Sequence, residues 1–201
     1  YGGITLHDVI NNSFAKKAIE KGADGLIAVA AGAGGHAGRL SPFALVEEIR
    51  QWFDGPLILS GAIANGKSIL AAQAMGADLA YIGSPFIATK EANAIDSYKR
   101  MIIECGAEDI IYSDYFTGVW GNYLKPSLIA NGLDPDNLKD SSGVTMNFGE
   151  GESDKTKKWK DIWGSGQGIG TIKDVVAAAD RISDLKMQYE AAKDYLKAAY
   201  G

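Results

Sequence analysis

The sequence predicts an α/β protein that corresponds to about the last four β/α units of a TIM (β/α)8 barrel, followed by an irregular C-terminal region and a long terminal helix. Two observations carry this prediction. Short apolar runs that end in glycine or serine alternate with amphipathic segments, and the pair repeats roughly every 25 to 30 residues as far as Gly106. Such alternation is typical of parallel strands joined by right-handed helical crossovers.

Breakers and apolar spacing define the elements of these units. The run from Gly25 to Ala30 is almost wholly apolar, as expected for a strand covered on both faces of a parallel sheet. Ser41 followed by Pro42 favours a helix start, because serine caps free amides and proline fits the first helical position. Gly22 and Gly76 are expected to stop helices. The predicted strands are residues 4–6, 25–30, 56–60 and 79–82, and the predicted helices are 14–21, 42–53, 67–75 and 88–105.

The chain after Gly106 breaks the repeat. Residues 107–165 are rich in Asp, Asn, Gly and aromatic residues, so we expect an irregular excursion that packs on the barrel. From residue 172 to about 199, apolar residues at helical spacing predict a long amphipathic helix. The predicted organisation is a half-barrel at 1–106, the excursion at 107–165, and a C-terminal loop and helix at 166–201.

Four units leave a barrel unfinished. A complete barrel has about 250 residues, so four units alone would have two open parallel edges and an uncovered interior. The chain starts at Tyr1 rather than at methionine and enters a strand almost at once. We therefore expect a missing N-terminal half, or otherwise a partner chain, to complete the barrel; a homodimer is the remaining option.

Composition excludes several classes of partner. The 201 residues carry a net charge of −5 and no basic stripe, which argues against nucleic acid as the main partner. Cys105 is the single cysteine, so no disulfide can form within the chain and a reducing compartment is expected. The sequence has no secretory signal and no apolar run of membrane-spanning length. We expect a cytoplasmic protein with no membrane partner and no metal site.

Small residues follow three successive predicted strands, where a shared site would form. The run 34–38, Gly-Gly-His-Ala-Gly, places His36 in a flexible loop at the end of the second strand. Ser60 and Gly61 end the next strand, and Gly83 and Ser84 end the one after it. Backbone amides of such loops hold phosphate in many barrels of this type. The sequence therefore predicts a site for a phosphate-bearing cofactor, with His36 beside it.

An ordered series of motifs resembles a known family. The motifs are residues 22–24, 34–38, 56–66, 75–78 and 83–91, in that order along the chain. Their combination closely resembles the nitronate monooxygenase (2-nitropropane dioxygenase) family of flavin barrels over about residues 3–95, and the flavin-dependent enoyl-acyl-carrier-protein reductase belongs to the same superfamily. A later segment, 163–168, resembles the Trp…Gly-Gln stretch near the end of those enzymes.

The resemblance implies FMN as the cofactor and His36 as the catalytic residue. The flavin ring would lie over the barrel mouth. The chain departs from the family pattern at two positions: Ala62 stands where a glycine is usual, and Ser84 stands where a threonine is usual. The cofactor-binding residues that the resemblance implies are Ala31, Gly34, Gly35, Ser60, Gly61, Ala62, Gly83, Ser84 and Gln167.

The resemblance also implies an activity: oxidation of alkyl nitronates by molecular oxygen, with neutral nitroalkanes as a further substrate option. His36 would hydrogen-bond the nitro oxygens or take the α proton, a task suited to an imidazole. Two alternatives stay open. One is an FMN-dependent enoyl-acyl-carrier-protein reductase that uses NAD(P)H, and the other is a non-catalytic phosphate-binding barrel.

Overall fold

A computed structural model describes residues 2–138 and 161–200. Its strands in chain order are β1 (Leu6–Val9), β2 (Gly25–Val29), β3 (Gly35–His36), β4 (Leu57–Ser60), β5 (Leu79–Tyr81), β6 (Ile110–Ser113) and β7 (Gly121–Leu124). Its α-helices are α1 (Asn12–Glu20), α2 (Pro42–Arg50), α3 (Gly66–Ala74), α4 (Ser84–Ile87), α5 (Asp96–Glu104), α6 (Lys125–Ala130) and α7 (Ala178–Tyr200). Short 3-10 turns lie at Ala107–Asp109, Pro135–Asn137 and Gln167–Thr171.

The main sheet confirms the predicted α/β class. Strands β1, β2, β4 and β5 lie side by side in that order, and each neighbouring pair is parallel. Helices α1, α2 and α3 supply the crossovers between them. Their apolar residues pack on one face of the sheet, where Leu26, Leu57 and Leu59 are at most 1% exposed. The core of the units therefore lies between the sheet and this helix layer.

On the opposite face of the same sheet, side chains of both edge strands, β1 and β5, are exposed in the described part of the chain. Side chains of a strand alternate between faces, so Leu6 on β1 lies on the face opposite to the helices, as do Leu79 and Tyr81 on β5. These three side chains are 40%, 61% and 59% exposed. The two central strands carry Ile27 and Ile58 on this face, but Ile27 is half-buried and Ile58 is only 8% exposed, so the exposed apolar surface lies at the edge strands.

Two aspartates tie the start of one unit to its neighbour. Asp24 precedes β2, and its carboxylate accepts a hydrogen bond from the Thr5 amide at 2.7 Å. Asp78 precedes β5, and its carboxylate accepts the Leu57 amide at 2.8 Å and a bond from Arg50 at 2.8 Å. The amide of Leu57, and to a smaller extent Arg50, holds the pKa of Asp78 below its usual value. Each Gly-Ala-Asp motif therefore fixes a strand start at the end of the sheet away from the glycine loops.

Several predicted element boundaries were wrong. The helix expected at 88–105 is shorter and corresponds to α5 alone, because Thr89 and Lys90 pair with Val176 instead of continuing a helical turn. The four-residue helix α4 lies before the predicted range. The same pairing delays the terminal helix, which begins at Ala178 and not at residue 172. The first helix begins at Asn12, because the Asn11 side chain accepts the Phe14 amide at 2.8 Å.

The segment predicted as irregular contains a regular sheet. Strands β6 and β7 form an antiparallel pair, and β7 also pairs with the two residues of β3. A chain interval of more than eighty residues separates β3 from β7, so local spacing gave no sign of this pairing. Residues 139–160 of the predicted excursion lie outside the described part of the chain.

Candidate active site

The loop that carries His36 is fixed by its pairing with β7. Gly35 pairs with Asn122 and His36 with Gly121. The Asn122 side-chain amide, 1% exposed, donates to the Ala33 carbonyl at 2.7 Å. The amide of Ala37 donates to the Trp120 carbonyl at 3.1 Å. The glycine-rich loop is therefore held in one conformation from both sides of the histidine.

His36 lies on the wall of a wide cleft. Its ring is exposed, and its Nε2 lies 3.0 Å from Oγ1 of the buried Thr117. The cleft has a volume of about 950 Å³ and opens at the carboxyl end of β2. Its walls are formed by Asp8, Ile10, Asn11, Val29, His36, Ala37, Gly38, Arg39, Leu40, Tyr112, Gly118, Val119 and Trp120.

The cleft combines an aromatic wall with two charges of opposite sign. The rings of Tyr112 and Trp120 stack with centroids 5.0 Å apart, and the Tyr112 hydroxyl donates to the Ala37 carbonyl at 2.8 Å. Burial raises the pKa of Tyr112, against a smaller opposite effect of the Arg39 guanidinium. Asp8 supplies the carboxylate of the cleft. Such walls suit a flat or apolar ligand that carries a small polar group.

A second, smaller cavity gathers the predicted glycine loops. It has a volume of about 30 Å³, so it suits the terminal group of a ligand rather than a ring. The loops after β2, β4 and β5 all reach it, which the parallel strands make possible. Six of the nine residues expected to bind the cofactor line it: Gly34, Ser60, Gly61, Ala62, Gly83 and Ser84.

Gly61 and Gly83, two of the glycines that line this cavity, differ in what a side chain would meet. Gly61 has φ of +140°, and a Cβ there would lie 2.8 Å from the Ala31 carbonyl oxygen, so a side chain does not fit. A Cβ on Gly83 would meet nothing within 4 Å. Gly83 therefore borders open space at the cavity, where a ligand can approach its backbone.

Ala62 takes a strained conformation. It is a non-glycine residue with φ of +54°, in the left-handed region that favours glycine. Its amide donates to the Gly32 carbonyl at 3.1 Å. The Ala62 amide is thus already used within the protein and is not free to donate to a ligand in this conformation.

A glycine-rich strap, residues 163–168, covers the loops from the C-terminal side. A Cβ on Gly34 would lie 2.8 Å from the Gly166 amide nitrogen, and a Cβ on Gly168 only 2.5 Å from the Ala62 carbonyl oxygen. The Gly166 amide also donates to the Ser84 hydroxyl at 2.9 Å. The absence of a side chain at Gly34 therefore admits protein backbone. The regular spacing of glycines in the strap was the sequence signal for this contact.

Three predicted site residues lie away from the small cavity. Gly35 has φ of +70° and open space beside it, in the strand next to the cleft. The amide of Ala31 donates to the Leu40 carbonyl at 2.8 Å. Gln167 is exposed, and its amide donates to the Gly32 carbonyl at 2.9 Å. Neither cavity is lined by any of these three residues.

Three further features of the described residues bear on function: the single cysteine, clusters of metal-ligating side chains and the length of the helices. Cys105 is buried, and burial followed by the nearby acids Asp109 and Glu104 raises the pKa of its thiol. No group of three His, Cys, Asp or Glu residues in the described ranges is placed to hold a metal ion. Within those ranges, none of the helices combines the length and the apolar character needed to cross a membrane.

A family model identifies the protein family to which the chain is related. The model of the nitronate monooxygenase family matches residues 4–187, which is most of the chain. The chain belongs to the nitronate monooxygenase family. This family consists of FMN-dependent flavoproteins that act as oxidoreductases.

One curated protein is similar to this nitronate monooxygenase family member in sequence, and two solved structures are similar to it in fold. A nitronate monooxygenase of Paraburkholderia phytofirmans is 31% identical over 123 residues, which is 57% of this chain and 34% of that protein. Among solved structures, FabK from Thermotoga maritima has a TM-score of 0.75 at 21% identity, covering 98% of this chain and 64% of that one. A nitroalkane oxidase from Streptomyces ansochromogenes has a TM-score of 0.75 at 23% identity, covering 97% and 60%. The chain therefore has their fold and spans less than two thirds of their length.

The residues present fit the cofactor of the family. Gly61, Gly83, Ser84 and Ser60 line the small cavity, and backbone amides and hydroxyls are neutral donors of the kind that suits a phosphate group. The position that a Cβ on Gly83 would fill is open. The wide cleft on the other side of residues 34–36 has the size and the aromatic wall that a flavin ring or its substrate requires.

Proposed function

We propose that this chain is the FMN- and substrate-binding part of an oxidoreductase that oxidises alkyl nitronates with molecular oxygen. The observation that carries the proposal is the arrangement at the carboxyl ends of β2, β4 and β5. A donor-lined cavity and a wide cleft lie there on either side of one short loop, and that loop carries His36. In barrels, this end of the strands is where catalytic residues gather.

In this proposal the small cavity binds the FMN phosphate. The amides of Gly61, Gly83 and Ser84 donate to phosphate oxygens, and the hydroxyls of Ser60 and Ser84 add further donors. The flavin, when bound, accepts electrons from the substrate and passes them to oxygen. Gly34 and Gly168 contribute by letting the strap lie close enough to hold the Ser84 hydroxyl in place.

His36 acts on the substrate from the wall of the cleft. A nitronate carries negative charge on its nitro oxygens, and an imidazole N–H hydrogen-bonds such oxygens. With a neutral nitroalkane, the same ring takes the α proton, since a neutral imidazole has one nitrogen with a lone pair that can accept a proton. Trp120 and Tyr112 offer the apolar surface on which the alkyl part packs.

The proposal includes a partner segment that completes a barrel. Leu6, Leu79 and Tyr81 expose apolar surface on the face of the sheet without helices, at both edge strands. Parallel sheets normally have both faces covered. Further strands, supplied by an upstream half or by another chain, would pair with β1 and β5 and enclose this face. The site would then receive its remaining flavin contacts from those strands.

The central experiment combines a visible spectrum with turnover by a histidine variant. We expect the protein with FMN to show a flavin spectrum and to consume oxygen with an alkyl nitronate. His36→Asn should keep the flavin and lower turnover on the order of 100-fold, the low end for losing a positioned acid–base group. His7→Asn, on β1 outside the cleft walls, is the matched control and should retain activity. Equal turnover in the two variants would exclude His36 from the reaction.

A second variant tests the phosphate cavity. Gly83→Val should weaken FMN retention, because a branched side chain would fill the open space that borders the cavity. Gly106→Val is its control, since Gly106 also has open space and an extended backbone but lies outside the cavity. Bound FMN is measured by absorbance after dialysis. Equal FMN retention in the two variants would place the phosphate elsewhere.

The alternative function is an FMN-dependent enoyl-acyl-carrier-protein reductase. The fold similarity to FabK and the aromatic wall of the cleft favour it as the second candidate. An enoyl thioester with NADH separates the two functions. Steady NADH consumption without oxygen-dependent nitronate turnover would replace the first proposal by the second.

A further inference from the structure

Arg39 lies in the wall of the wide cleft, in the loop that follows β3. Its backbone is fixed on both sides. The Gly38 amide donates to the Val29 carbonyl at 3.1 Å, and the Leu40 carbonyl accepts the Ala31 amide at 2.8 Å. Gly38 also has no room for a side chain, since a Cβ there would lie 2.8 Å from the Val29 carbonyl oxygen. Arg39 is therefore held beside the carboxyl end of β2, where the cleft opens.

The guanidinium of Arg39 has no protein partner in the described part of the chain, where it forms neither an ion pair nor a hydrogen bond. The residue is exposed, so all five of its N–H donors are available to a ligand. Asp8 supplies a carboxylate to the same cleft, but it is not within ion-pair distance of Arg39. The charge of Arg39 lowers the pKa of Tyr112 against the larger effect of burial, so its field acts inside the cleft.

A nitronate has the shape that a guanidinium recognises. Its two oxygens share a negative charge on one planar nitrogen, as the two oxygens of a carboxylate do on carbon. A guanidinium binds such paired oxygens through two parallel N–H donors. A neutral nitroalkane presents the same two oxygens without the net charge, and a charge-assisted hydrogen bond is about twice as strong as a neutral one. An unpaired guanidinium therefore distinguishes the two forms of the substrate.

We propose that Arg39 is a specificity-determining residue, whose guanidinium binds the nitro oxygens and selects the anionic nitronate over the neutral nitroalkane. The inference rests on the proposed function, because it names the charge state of the substrate in the same cleft. His36 and Arg39 come from one short loop, so the nitro group binds at this loop. The alkyl part then packs on Tyr112 and Trp120, whose stacked rings form the aromatic wall.

Asp8 gives the cleft a direction. It lies on β1, on the face of the sheet without helices, and its exposed carboxylate repels an anion. Asp8 and Arg39 form no ion pair with each other, so each charge acts on the ligand separately. An anionic group is therefore favoured near Arg39 and disfavoured near Asp8. Removing one charge or the other should change anion binding in opposite directions.

The test compares an anion with a neutral ligand of the same shape. Hexanoate stands in for a nitronate, because the two oxygens of its carboxylate share one negative charge, and hexanamide is its uncharged counterpart. Binding to the full chain is followed by ¹H–¹⁵N NMR of the backbone amides of residues 36–40, at pH 8, where carboxylates are charged and an ordinary imidazole is neutral. We expect hexanoate to bind more tightly than hexanamide, with a preference that falls as salt is added.

Substitution of Arg39 should remove this preference. Arg39→Gln should raise the Kd of hexanoate about 3- to 10-fold, the range for one charge-assisted contact at an exposed site, and that of hexanamide less than about 2-fold. Arg39→Lys keeps the charge but not the paired donors, so it should raise the Kd of hexanoate by a smaller factor. Asp8→Asn should lower it. Arg100→Gln removes an exposed arginine of α5 outside the cleft, so it is the matched control and should leave both constants unchanged.

The outcomes separate this inference from the proposed function. The role of Arg39 is overturned if hexanoate does not bind more tightly than hexanamide, if Arg39→Gln weakens both ligands equally, or if Arg100→Gln weakens hexanoate as much. These measurements need no turnover, so an anion preference that depends on Arg39 in a chain without nitronate activity would refute the proposed function alone. In an active protein, Arg39→Gln should raise KM for a nitronate and leave KM for its neutral nitroalkane unchanged. Equal changes in the two KM values would exclude Arg39 as the selecting group and leave the proposed function standing.

Discussion

At the scale of single residues, the departures from the family pattern have measurable consequences. Ala62 stands where a glycine is usual, and it adopts φ of +54°. A non-glycine residue in this region places its Cβ close to the following carbonyl, at a cost of about 1–2 kcal/mol. The loop accepts this cost because the Ala62 amide bonds to Gly32 and the neighbouring strap contacts the Ala62 carbonyl.

Replacing Ala62 by glycine should therefore stabilise the fold. We expect Ala62→Gly to raise the free energy of unfolding by about 0.5–1 kcal/mol, since the relief of strain exceeds the added entropy of glycine in the unfolded chain. The measurement is the midpoint of urea unfolding. Ala71→Gly, on the exposed side of α3, is the control and should lower stability by about 1 kcal/mol. A loss of stability in both variants would contradict the strain at Ala62.

The raised pKa of Tyr98 makes the free energy of unfolding depend on pH at alkaline pH. Its ring stacks on Trp163 with centroids 4.9 Å apart, its hydroxyl donates to the Gly164 carbonyl, and burial raises its pKa to about 12. In the unfolded chain a tyrosine ionises near pH 10. Between pH 10 and 12 the unfolded state therefore loses a proton that the folded state keeps. Stability from this group is present below pH 10 and is lost as the pH rises toward 12.

The prediction for Tyr98 is a difference between two pH profiles. From pH 9 to pH 11.5 the unsubstituted chain should lose about 2 kcal/mol more unfolding free energy than Tyr98→Phe, which cannot ionise. Tyr112 and Tyr123 are present in both proteins, so their own raised pKa values do not enter the difference. Urea unfolding at several pH values measures it. Parallel profiles would show that the hydroxyl of Tyr98 is accessible to water in the folded protein.

At the scale of elements, the contact between helices α3 and α7 depends on close packing of their backbones. Helix α7 crosses α3 at Gly66, where a Cβ would lie 2.1 Å from the Tyr189 amide nitrogen and 2.5 Å from the Leu185 carbonyl oxygen. The Gly66 amide also donates to the Gln188 side chain at 3.0 Å. The first residue of α3 is therefore a glycine because a helix backbone passes directly over it.

Substitution at this crossing should displace α7. We expect Gly66→Ala to lower the free energy of unfolding by about 1–3 kcal/mol, the usual cost of overpacking. Gly106→Ala is the matched control, because its Cβ would meet nothing within 4 Å and its backbone is extended. Urea unfolding of both variants measures the difference. Equal stability of the two variants would show that the helices cross farther apart than the structure places them.

Elements whose signals are local in the chain were predicted best from the amino-acid sequence. The apolar run of β2 and the Ser41–Pro42 helix start were placed within one or two residues, because propensity and capping act between neighbours in the chain. The pairing of Thr89 with Val176 and that of Gly35 with Asn122 were missed, since each joins segments more than eighty residues apart. The glycine loops of the small cavity were found because parallel strands bring their ends together. Thr117, which meets His36 from a distant turn, had no local signal.

At the scale of the whole molecule, the two faces of the main sheet differ in what covers them. Leu59 on β4 faces the helix layer and is 1% exposed, whereas Leu79 on the neighbouring β5 faces away from it and is 61% exposed. Ile58 pairs with Leu79 on that same face and is only 8% exposed, so the exposure of Leu79 reflects its place on an edge strand of the face without helices. The proposal of a completing half-barrel predicts that these two residues respond differently to the state of assembly.

In the isolated chain, Leu79→Ala should change the free energy of unfolding by less than about 0.5 kcal/mol, as expected for a surface substitution. Leu59→Ala removes a buried side chain and should cost about 2–5 kcal/mol. When the completing strands are supplied, in one polypeptide or as a second chain, Leu79 becomes buried and its substitution should cost as much as that of Leu59. Urea unfolding of the four combinations measures both effects. If Leu79→Ala stays without cost in the assembled protein, the added strands do not cover this face, and the exposed leucine and Tyr81 belong to a surface that the barrel does not enclose.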